Sequence, residues 1–425
     1  MNNEKMQNGN SVNLLSHSNR YDSEVNFHKI DKIKAALEEL ESALGKDVID
    51  AIMRNHKDYW YGTTFLKFLD LHGKLSVKEI TKALQLGKLR LVENWYRQAL
   101  PRPIVTLLTI HYKNFHKLSK QQMAYLFGWG FGDGGLTNEL NYYFICGKKH
   151  DLLKIDDYLK DQIINIPIFI QENNANNFIT LHNGTKKEIS GTNSWILYIR
   201  DSSFCKLLYA LGLPKGEKVL QPTKIPLWIQ EGEIQIKKSF LNALFEGELQ
   251  THKVQLNTKR NKIDICPVTF GLSKIEKHKQ NLLELLEDIR RMLQGFQIVS
   301  TVAETPKPSN IRKRDGLTTY SSRFYISISA SNTIRFSKHI QFPFNKEKQI
   351  AMQKALTEAK RKIGVMKLQV NKYRKALEMF EKGSSIYKIS KELNIQWHTA
   401  NNWLTTKRHL PLLVVKNSYE VSNEI

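Results

Sequence analysis

Apolar residues recur along this chain with two different periods, and the change of period divides it into segments. From Lys32 to about Thr109 they fall three and four apart, as in Ile33-Lys-Ala-Ala-Leu-Glu-Glu-Leu, which predicts amphipathic helices. From about Leu118 to Lys348 the texture changes to two blocks of strand-like runs interleaved with helical ones. In the first block, Tyr142-Tyr-Phe-Ile-Cys and Trp195-Ile-Leu-Tyr-Ile are rich in aromatic and branched residues and read as strands. Between them Asp151-Leu-Leu-Lys-Ile-Asp-Asp-Tyr-Leu has helical spacing, and Phe204-Cys-Lys-Leu-Leu-Tyr-Ala-Leu-Gly212 is a helix stopped by glycine and then Pro214. The second block repeats this order. Its strands are Lys253-Val-Gln-Leu-Asn and Phe324-Tyr-Ile-Ser-Ile-Ser, with a long helix from Ile275 to Leu293 between them. Thr333-Ile-Arg-Phe-Ser-Lys-His-Ile stands where the first block has its Phe204 helix.

Each block opens with the same pattern: small residues at helical spacing, followed at once by an acid. In the first, Gly128 and Gly132 lie four apart and Asp133 follows; in the second, Ala243 and Gly247 lie four apart and Glu248 follows. Small residues at i and i+4 let two helix backbones approach closely. Glycine is about 1 kcal/mol worse than alanine inside a helix, so glycines at 128, 130 and 132 need such a reason. An acid beyond each seam puts two carboxylates side by side, which repel unless a cation sits between them.

Leu126-Phe-Gly-Trp-Gly-Phe-Gly-Asp-Gly134 and Phe240-Leu-Asn-Ala-Leu-Phe-Glu-Gly-Glu-Leu249 together resemble the paired motifs of a single-chain LAGLIDADG homing endonuclease. The second motif departs from that pattern, with Glu248 for the usual Asp and Leu249 for the closing Gly. The resemblance implies an α+β fold: duplicated αββαββα repeats with pseudo-two-fold symmetry, here flanked by all-α helix-turn-helix modules. It makes Asp133 and Glu248 catalytic metal ligands for Mg²⁺ (or Mn²⁺), and Gly128, Gly132, Ala243 and Gly247 the helix interface. It also places Lys218, from Leu211-Gly-Leu-Pro-Lys-Gly-Glu-Lys218, in a basic catalytic position. Lys348, from Ile340-Gln-Phe-Pro-Phe-Asn-Lys-Glu-Lys348, is its counterpart, with Lys346 the other register. The basic, Pro-containing loop Glu304 to Arg314 absorbs the extra length of the second block.

A second internal repeat lies outside the first. Ile80-Thr-Lys-Ala-Leu and Ile389-Ser-Lys-Glu-Leu are near copies, followed at similar distance by Asn94-Trp95 and Asn402-Trp403. A short amphipathic helix, a turn and a second helix make the rhythm of a helix-turn-helix, whose outer face meets DNA. In the C-terminal copy Trp403 is expected in the core, while Gln396, His398, Thr399, Asn401 and Asn402 are candidates for the groove. Lys354, Lys360, Arg361, Lys362, Lys367, Lys372, Arg374 and Lys375 lead into it, opposed in that stretch only by Glu358. Arg374 and Lys375 are the phosphate-binding candidates nearest the module.

The expected organisation is a disordered Asn/Ser-rich leader over residues 1–25 and a helical region with a candidate helix-turn-helix over 26–112. The two repeats follow at 113–235 and 236–350, then a basic linking helix over 351–368. A helix-turn-helix DNA-binding module at 369–412 and a tail at 413–425 complete the chain.

Composition changes the picture in one respect. Sixty-four Lys+Arg against 41 Asp+Glu give a formal net charge of +23 over 425 residues, which points to a polyanionic partner. The partner expected here is double-stranded DNA, bound by a monomer acting as a pseudo-dimer. No apolar run approaches the roughly 20 residues needed to cross a bilayer, and no hydrophobic signal core follows Met1-Asn-Asn-Glu-Lys. Cys146, Cys205 and Cys266 are isolated, so they form no Cys-x-x-Cys pair, and an intracellular setting, cytoplasmic, nucleoid or organellar, is expected. No Gly-x-x-x-x-Gly-Lys-Ser/Thr loop occurs, so no nucleotide cofactor is expected. Met1 and the ending Val421-Ser-Asn-Glu-Ile425 lack the terminal residues of an intein, and a free-standing endonuclease is expected. A DNA-binding regulator that has lost cleavage, or an intron RNA maturase, would use the same scaffold.

Overall fold

The computed structural model describes residues 30–97, 99–162, 167–173, 178–188, 194–258 and 262–411. The expected leader (1–25) and tail (413–425) lie outside the described residues. The chain divides into two compact units. Of the described residues, the first comprises those up to Leu118 with 162 and 201–211, and the second those in 119–161, 167–200 and from 212 on.

The first unit is all helical: α1 (Ile30–Leu44), α2 (Lys46–Arg54), α3 (Tyr59–Leu71), α4 (Val77–Ala83), α5 (Leu89–Tyr96) and α6 (Arg102–Tyr112). The helix Ser202–Ala210 packs into it, held at its start by the Asp201 side chain accepting from Phe204 N. Its core is apolar and aromatic, with Phe65, Phe68, Trp95, Phe115 and Phe204 fully enclosed. Gly62 lets α3 meet Pro103, since a Cβ there would come within 2.8 Å of the proline Cβ. Pro101 and Pro103 flank the start of α6, where a missing N–H costs nothing.

The second unit is mixed α and β with antiparallel sheets. Its elements run α7 (Lys120–Phe131), β1 (Gly134–Leu136), β2 (Tyr143–Gly147), α8 (Lys149–Gln162), β3 (Ile168–Asn173), β4 (Phe178–Leu181), β5 (Lys186–Glu188), β6 (Ser194–Ile199). After the Ser202–Ala210 helix, α9, come α10 (Leu227–Gln230), α11 (Ile234–Glu248), β7 (Val254–Asn257), β8 (Lys262–Ile265), β9 (Val268–Ile275) and α12 (Lys279–Gly295). The chain then makes β10 (Lys307–Ile311), β11 (Thr318–Ile326), α13 (Ala330–His339), α14 (Lys346–Glu381), α15 (Ile386–Glu392) and α16 (Trp397–Asn401). One sheet has the order β1-β2-β6-β3 and the other β5-β4-β10-β11-β9.

The strands obey the two-residue period. In β6, Leu197 and Ile199 are buried while Tyr198 faces outward among Tyr142, Phe144 and Phe169. In β11, Phe324 and Ile326 are buried while Arg323 is exposed. Three local expectations differ, and one hairpin was not expected. Among the described residues Val254–Asn257 pairs only with β8, in a two-stranded ribbon, and the second sheet is built from β9 instead. The helix expected from Ile275 starts at Lys279, because residues up to Ile275 continue the β9–β11 ladder. The expected 304–314 loop contains β10, whose ladder with β11 shifts register just after Pro308, where proline is tolerated. The β4–β5 hairpin joins the second sheet through Asn310↔Leu181 and Ile311↔Thr180, so strands of the first block extend the sheet of the second.

At the C-terminal end, the expected linking helix and the helix that follows it are one continuous helix, α14. Its early part packs through Ala355, Ala359 and Ile363 on Ile265 and Ala330. Its late part, with Ala376 buried, packs with Ile389, Trp403 and Leu404. Trp403 is buried, as expected, and its Nε1–H donates to His409 O. The turns after α4 and α15 are superposable in hydrogen bonding. Leu84 N, Gln85 N and Leu86 N donate to Ile80, Lys82 and Thr81, and Leu393 N, Asn394 N and Ile395 N donate to Ile389, Lys391 and Ser390. Gln85 and Asn394 both take positive φ, at 51° and 46°.

Candidate active site

The site grows from the meeting of α7 and α11, the most extensively packed pair of elements among the described residues. Ser119 and Gln122 close a reciprocal capping box that starts α7. A Cβ at Gly128 would overlap the Phe240 carbonyl oxygen and lie 2.7 Å from Ala243 Cβ and 2.9 Å from Leu244 N. Backbone therefore touches backbone at Gly128 and Ala243, as the small-residue spacing requires. The exchange is reciprocal at the lower end. Position 132 lies against Glu248 Cγ, at 3.3 Å from a Cβ built there, and position 247 lies against Asp133 Oδ2, at 3.1 Å. Each acid packs on the glycine that precedes the other.

The two carboxylates disfavour each other's charge. The Asp133 side chain opens to solvent, yet protein crowds around it, and this loss of hydration raises its pKa against the pull of Lys218 and Lys348. Glu248 is pushed up to about 7, first by burial and then by Asp133, with the two lysines opposing. Asp133 opens to solvent and Glu248 is half-buried on the same seam, and two partly dehydrated carboxylates so placed fit a hard divalent cation, whose charge relieves their repulsion. On one side a cleft of about 230 Å³ is lined by Asp133, Cys146, Ser194, Glu246, Asn345 and Lys348, among others. Burial pushes the Cys146 thiol up to about 11.

Lys218 and Lys348, paired in the sequence as counterparts, occupy matching positions as caps of the two motif helices, a role the sequence did not announce. Lys218 Nζ donates to the carbonyls of Gly130 (2.9 Å), Phe131 (3.0 Å), Gly134 (2.8 Å) and Gly132. Lys348 Nζ donates to Phe245 (3.2 Å), Glu246 (2.7 Å) and Gly247 (2.9 Å). Each ammonium thus caps the carbonyl end of one motif helix, where orphan acceptors and the dipole both call for a cation. Burial lowers both lysines to about 8, with the acids opposing. The exposed Lys346 makes no such contact, so Lys348 is the counterpart of Lys218. Their protons go to main-chain oxygens, and the lysines act on the acids through charge and position.

Two further residues fix this arrangement. Glu246 is 2% exposed and accepts from Tyr125 Oη (3.0 Å), Phe344 N (2.6 Å) and Asn345 N (2.5 Å), tying the segment before Lys348 to the motif helix. Burial pushes it up to about 7. Lys274 is 2% exposed and donates to Lys218 O (2.5 Å), Gln221 O (2.8 Å) and Thr223 Oγ1 (2.8 Å), holding the segment that carries Lys218. The signals were present: an acid within the apolar run Ala243-Leu-Phe-Glu246, and a lysine on the inward phase of β9 with Val268 and Phe270.

The remaining candidates lie elsewhere. Arg374 and Lys375 are exposed on α14, 26 residues from Lys348, or about 39 Å along a helix rising 1.5 Å per residue. Gln396 and His398 are exposed at the start of α16. Thr399, Asn401 and Asn402 are half-buried, and Asn401 Oδ1 accepts from Thr405 Oγ1 at 3.0 Å. The structure therefore brings Asp133, Glu248, Lys218, Lys348 and the seam residues together and keeps the helical-module candidates apart from them. No helix among the described residues is long and apolar enough to cross a membrane.

No family model matches the chain. Over 275 residues it is 26% identical to a tRNA-splicing ligase RtcB of Methanocaldococcus jannaschii, covering 63% of this chain and 26% of that protein. Over 230 residues it is 30% identical to the DNA-directed RNA polymerase subunit Rpo1N of the same organism, covering 53% and 16%. The chain spans about a fifth to a quarter of the length of the curated RtcB relatives it matches. Among solved structures it is similar to homing endonucleases. The homing endonuclease I-WcaI bound to its DNA recognition sequence matches at TM-score 0.33 and 16% identity, over 67% of this chain and 96% of that one. I-DmoI in complex with DNA and Ca matches at TM-score 0.30 and 16% identity, over 52% and 89%.

Proposed function

We propose that this chain is a two-repeat LAGLIDADG-type endonuclease that hydrolyses phosphodiester bonds of double-stranded DNA at a specific site, as a monomer with pseudo-two-fold symmetry. The observation that carries the reading is the reciprocal placement of Asp133 against Gly247 and Glu248 against Gly132. The matched caps by Lys218 and Lys348 support the same duplication. The matches to a ligase and to a polymerase subunit, each over a small share of that protein, support a module separate from ligation and from transcription. An RNA-ligase reading is correspondingly weak.

Asp133 and Glu248 would hold Mg²⁺ or Mn²⁺, which supplies Lewis acidity toward the phosphate and a more acidic bound water. The glycine seam fixes the separation of the two carboxylates. Glu248 reaches one methylene further than an aspartate, so the two halves of the site are unequal. Lys218 and Lys348 keep local charge balanced while their helix ends stay rigid. The outward sheet faces, with Tyr142, Tyr198, Arg323 and Tyr325, and the exposed cations of α14 offer stacking and phosphate contacts. The two matching helix–turn–helix segments extend the footprint.

One observation favours a second reading, a cleavage-deficient DNA-binding regulator. Both ammonium groups spend their protons on helix carbonyls, leaving the carboxylates as the site's remaining ionisable groups. Incubating the protein with a plasmid library and Mg²⁺ or Mn²⁺, then mapping ends, separates the two. Discrete cut sites support the endonuclease; specific binding without cutting under any divalent metal supports the regulator.

A further inference from the structure

Within the helical unit, three metal-ligating side chains converge that the DNA site does not use. Glu39 on α1 faces His111 in the last turn of α6 and His116 in the short 3₁₀ turn Phe115–Lys117. His111 Nε2 lies 2.8 Å from Glu39 Oε2, and His116 Nε2 lies 3.3 Å from Glu39 Oε1. The two imidazoles are stacked at 5.1 Å with an interplanar angle of 6°, so both Nε2 atoms face the same carboxylate. His116 Nδ1 points at Ile110 O, 3.5 Å away. If Nδ1 carries the proton that this carbonyl accepts, the neutral ring aims the lone pair of Nε2 at a carboxylate oxygen. A histidine whose other nitrogen donates to a backbone carbonyl is the usual posture of a metal ligand.

We propose that Glu39, His111 and His116 form a Zn²⁺ site with its fourth position open to water, stapling α1 to the end of α6. Two imidazoles and one carboxylate are a zinc donor set. Access is graded: the His116 side chain is 2% exposed, His111 25% and Glu39 50%, so an ion can enter from the Glu39 side. Lys117 Nζ, 3.9 Å from Glu39 Oε1, is the competing cation, and its side chain is 61% exposed and free to turn away. On binding, the metal takes the place of the His111–Glu39 hydrogen bond, the neutral His111 ring holding its one proton on Nδ1.

The test uses the full chain in an Asp133→Asn, Glu248→Gln background, so that ions at the DNA site do not contribute. Zinc is titrated in competition with a chromophoric chelator, and Co²⁺ is used as a visible reporter. One zinc per chain is expected, with a Co²⁺ spectrum of histidine and carboxylate ligation and a raised Tm. Glu39→Gln and His111→Asn, both at solvent-reachable positions, should weaken zinc binding by more than about tenfold without changing the metal-free Tm. His116→Asn should do the same if it folds. Absence of zinc uptake by the parent, or equal uptake by the parent and the Glu39 and His111 variants, would overturn the proposal. Because the background lacks both DNA-site acids, this outcome is independent of whether the protein cuts DNA.

Discussion

Gly128→Ala should destabilise the second unit although alanine is the better helix former. In an open helix the exchange is worth about 1 kcal/mol in favour of alanine. At position 128 the new methyl would overlap the Phe240 carbonyl and come within 2.9 Å of Leu244 N, both main-chain atoms that no rotamer change can move. Relief requires α7 and α11 to separate along the seam, and overpacking of this kind costs about 3 kcal/mol or more when backbone is involved. The net loss is then about 2 kcal/mol, or a fall of roughly 3 °C in Tm for a unit of this size. Gly364, in the middle of α14, is the internal control, since a Cβ there meets nothing within 4 Å. Gly364→Ala should raise Tm slightly. Calorimetry on wild type and both variants under one buffer provides the comparison. A Gly128→Ala protein as stable as wild type would refute the close approach of the two motif helices, and with it the pairing of the two acids.

Three further outcomes follow from particular contacts. Burial lowers His252 from 6.5 to about 4, so the folded state binds fewer protons there than the unfolded chain. Its contribution is present above pH 6.5 and is lost as pH falls toward 4, up to about 3 kcal/mol. His252→Leu should flatten the stability–pH profile across that window; an unchanged profile would count against the burial argument. Truncation after Lys367, between the two packing regions of α14, should weaken DNA binding and lower the salt slope by about 0.9 per lost phosphate contact. An equal slope in titrations at several salt concentrations would assign the C-terminal module to another partner. Gln396→Ala with His398→Ala, the exposed candidates on α16, should relax sequence preference on one flank with little change in salt slope. Site selection that returns the wild-type preference would exclude that face from base contacts.

The seam and its acids were legible because their chemistry is steric and local. Glycines in a buried helix signal a close neighbour, and an acid directly after them lands at the end of the contact. Trp403 was legible for the same reason. What escaped depends on pairing across distance. Whether Val254–Asn257 or Val268–Ile275 joins the sheet turns on which partner each meets, since both are short branched or apolar runs. The β4–β5 hairpin joins the other block's sheet, which no period in its own residues announces. The lysines were found as residues but not as helix caps, because a cap is defined by carbonyls 86 and 102 positions away in the sequence. Glu246 and Lys274 were hidden by the expectation that charge lies outside; each is buried because backbone groups satisfy it.

The central claim is that Asp133 and Glu248 together hold the metal that cuts DNA, while affinity resides in the surrounding surface. The most direct measurement compares wild type, Asp133→Asn and Glu248→Gln on the site mapped from the plasmid library, recording cleavage with Mg²⁺ or Mn²⁺ and binding with EDTA. The account predicts metal-dependent cleavage by wild type alone, and binding by all three within a few-fold. Cleavage by either variant at the wild-type rate would contradict it.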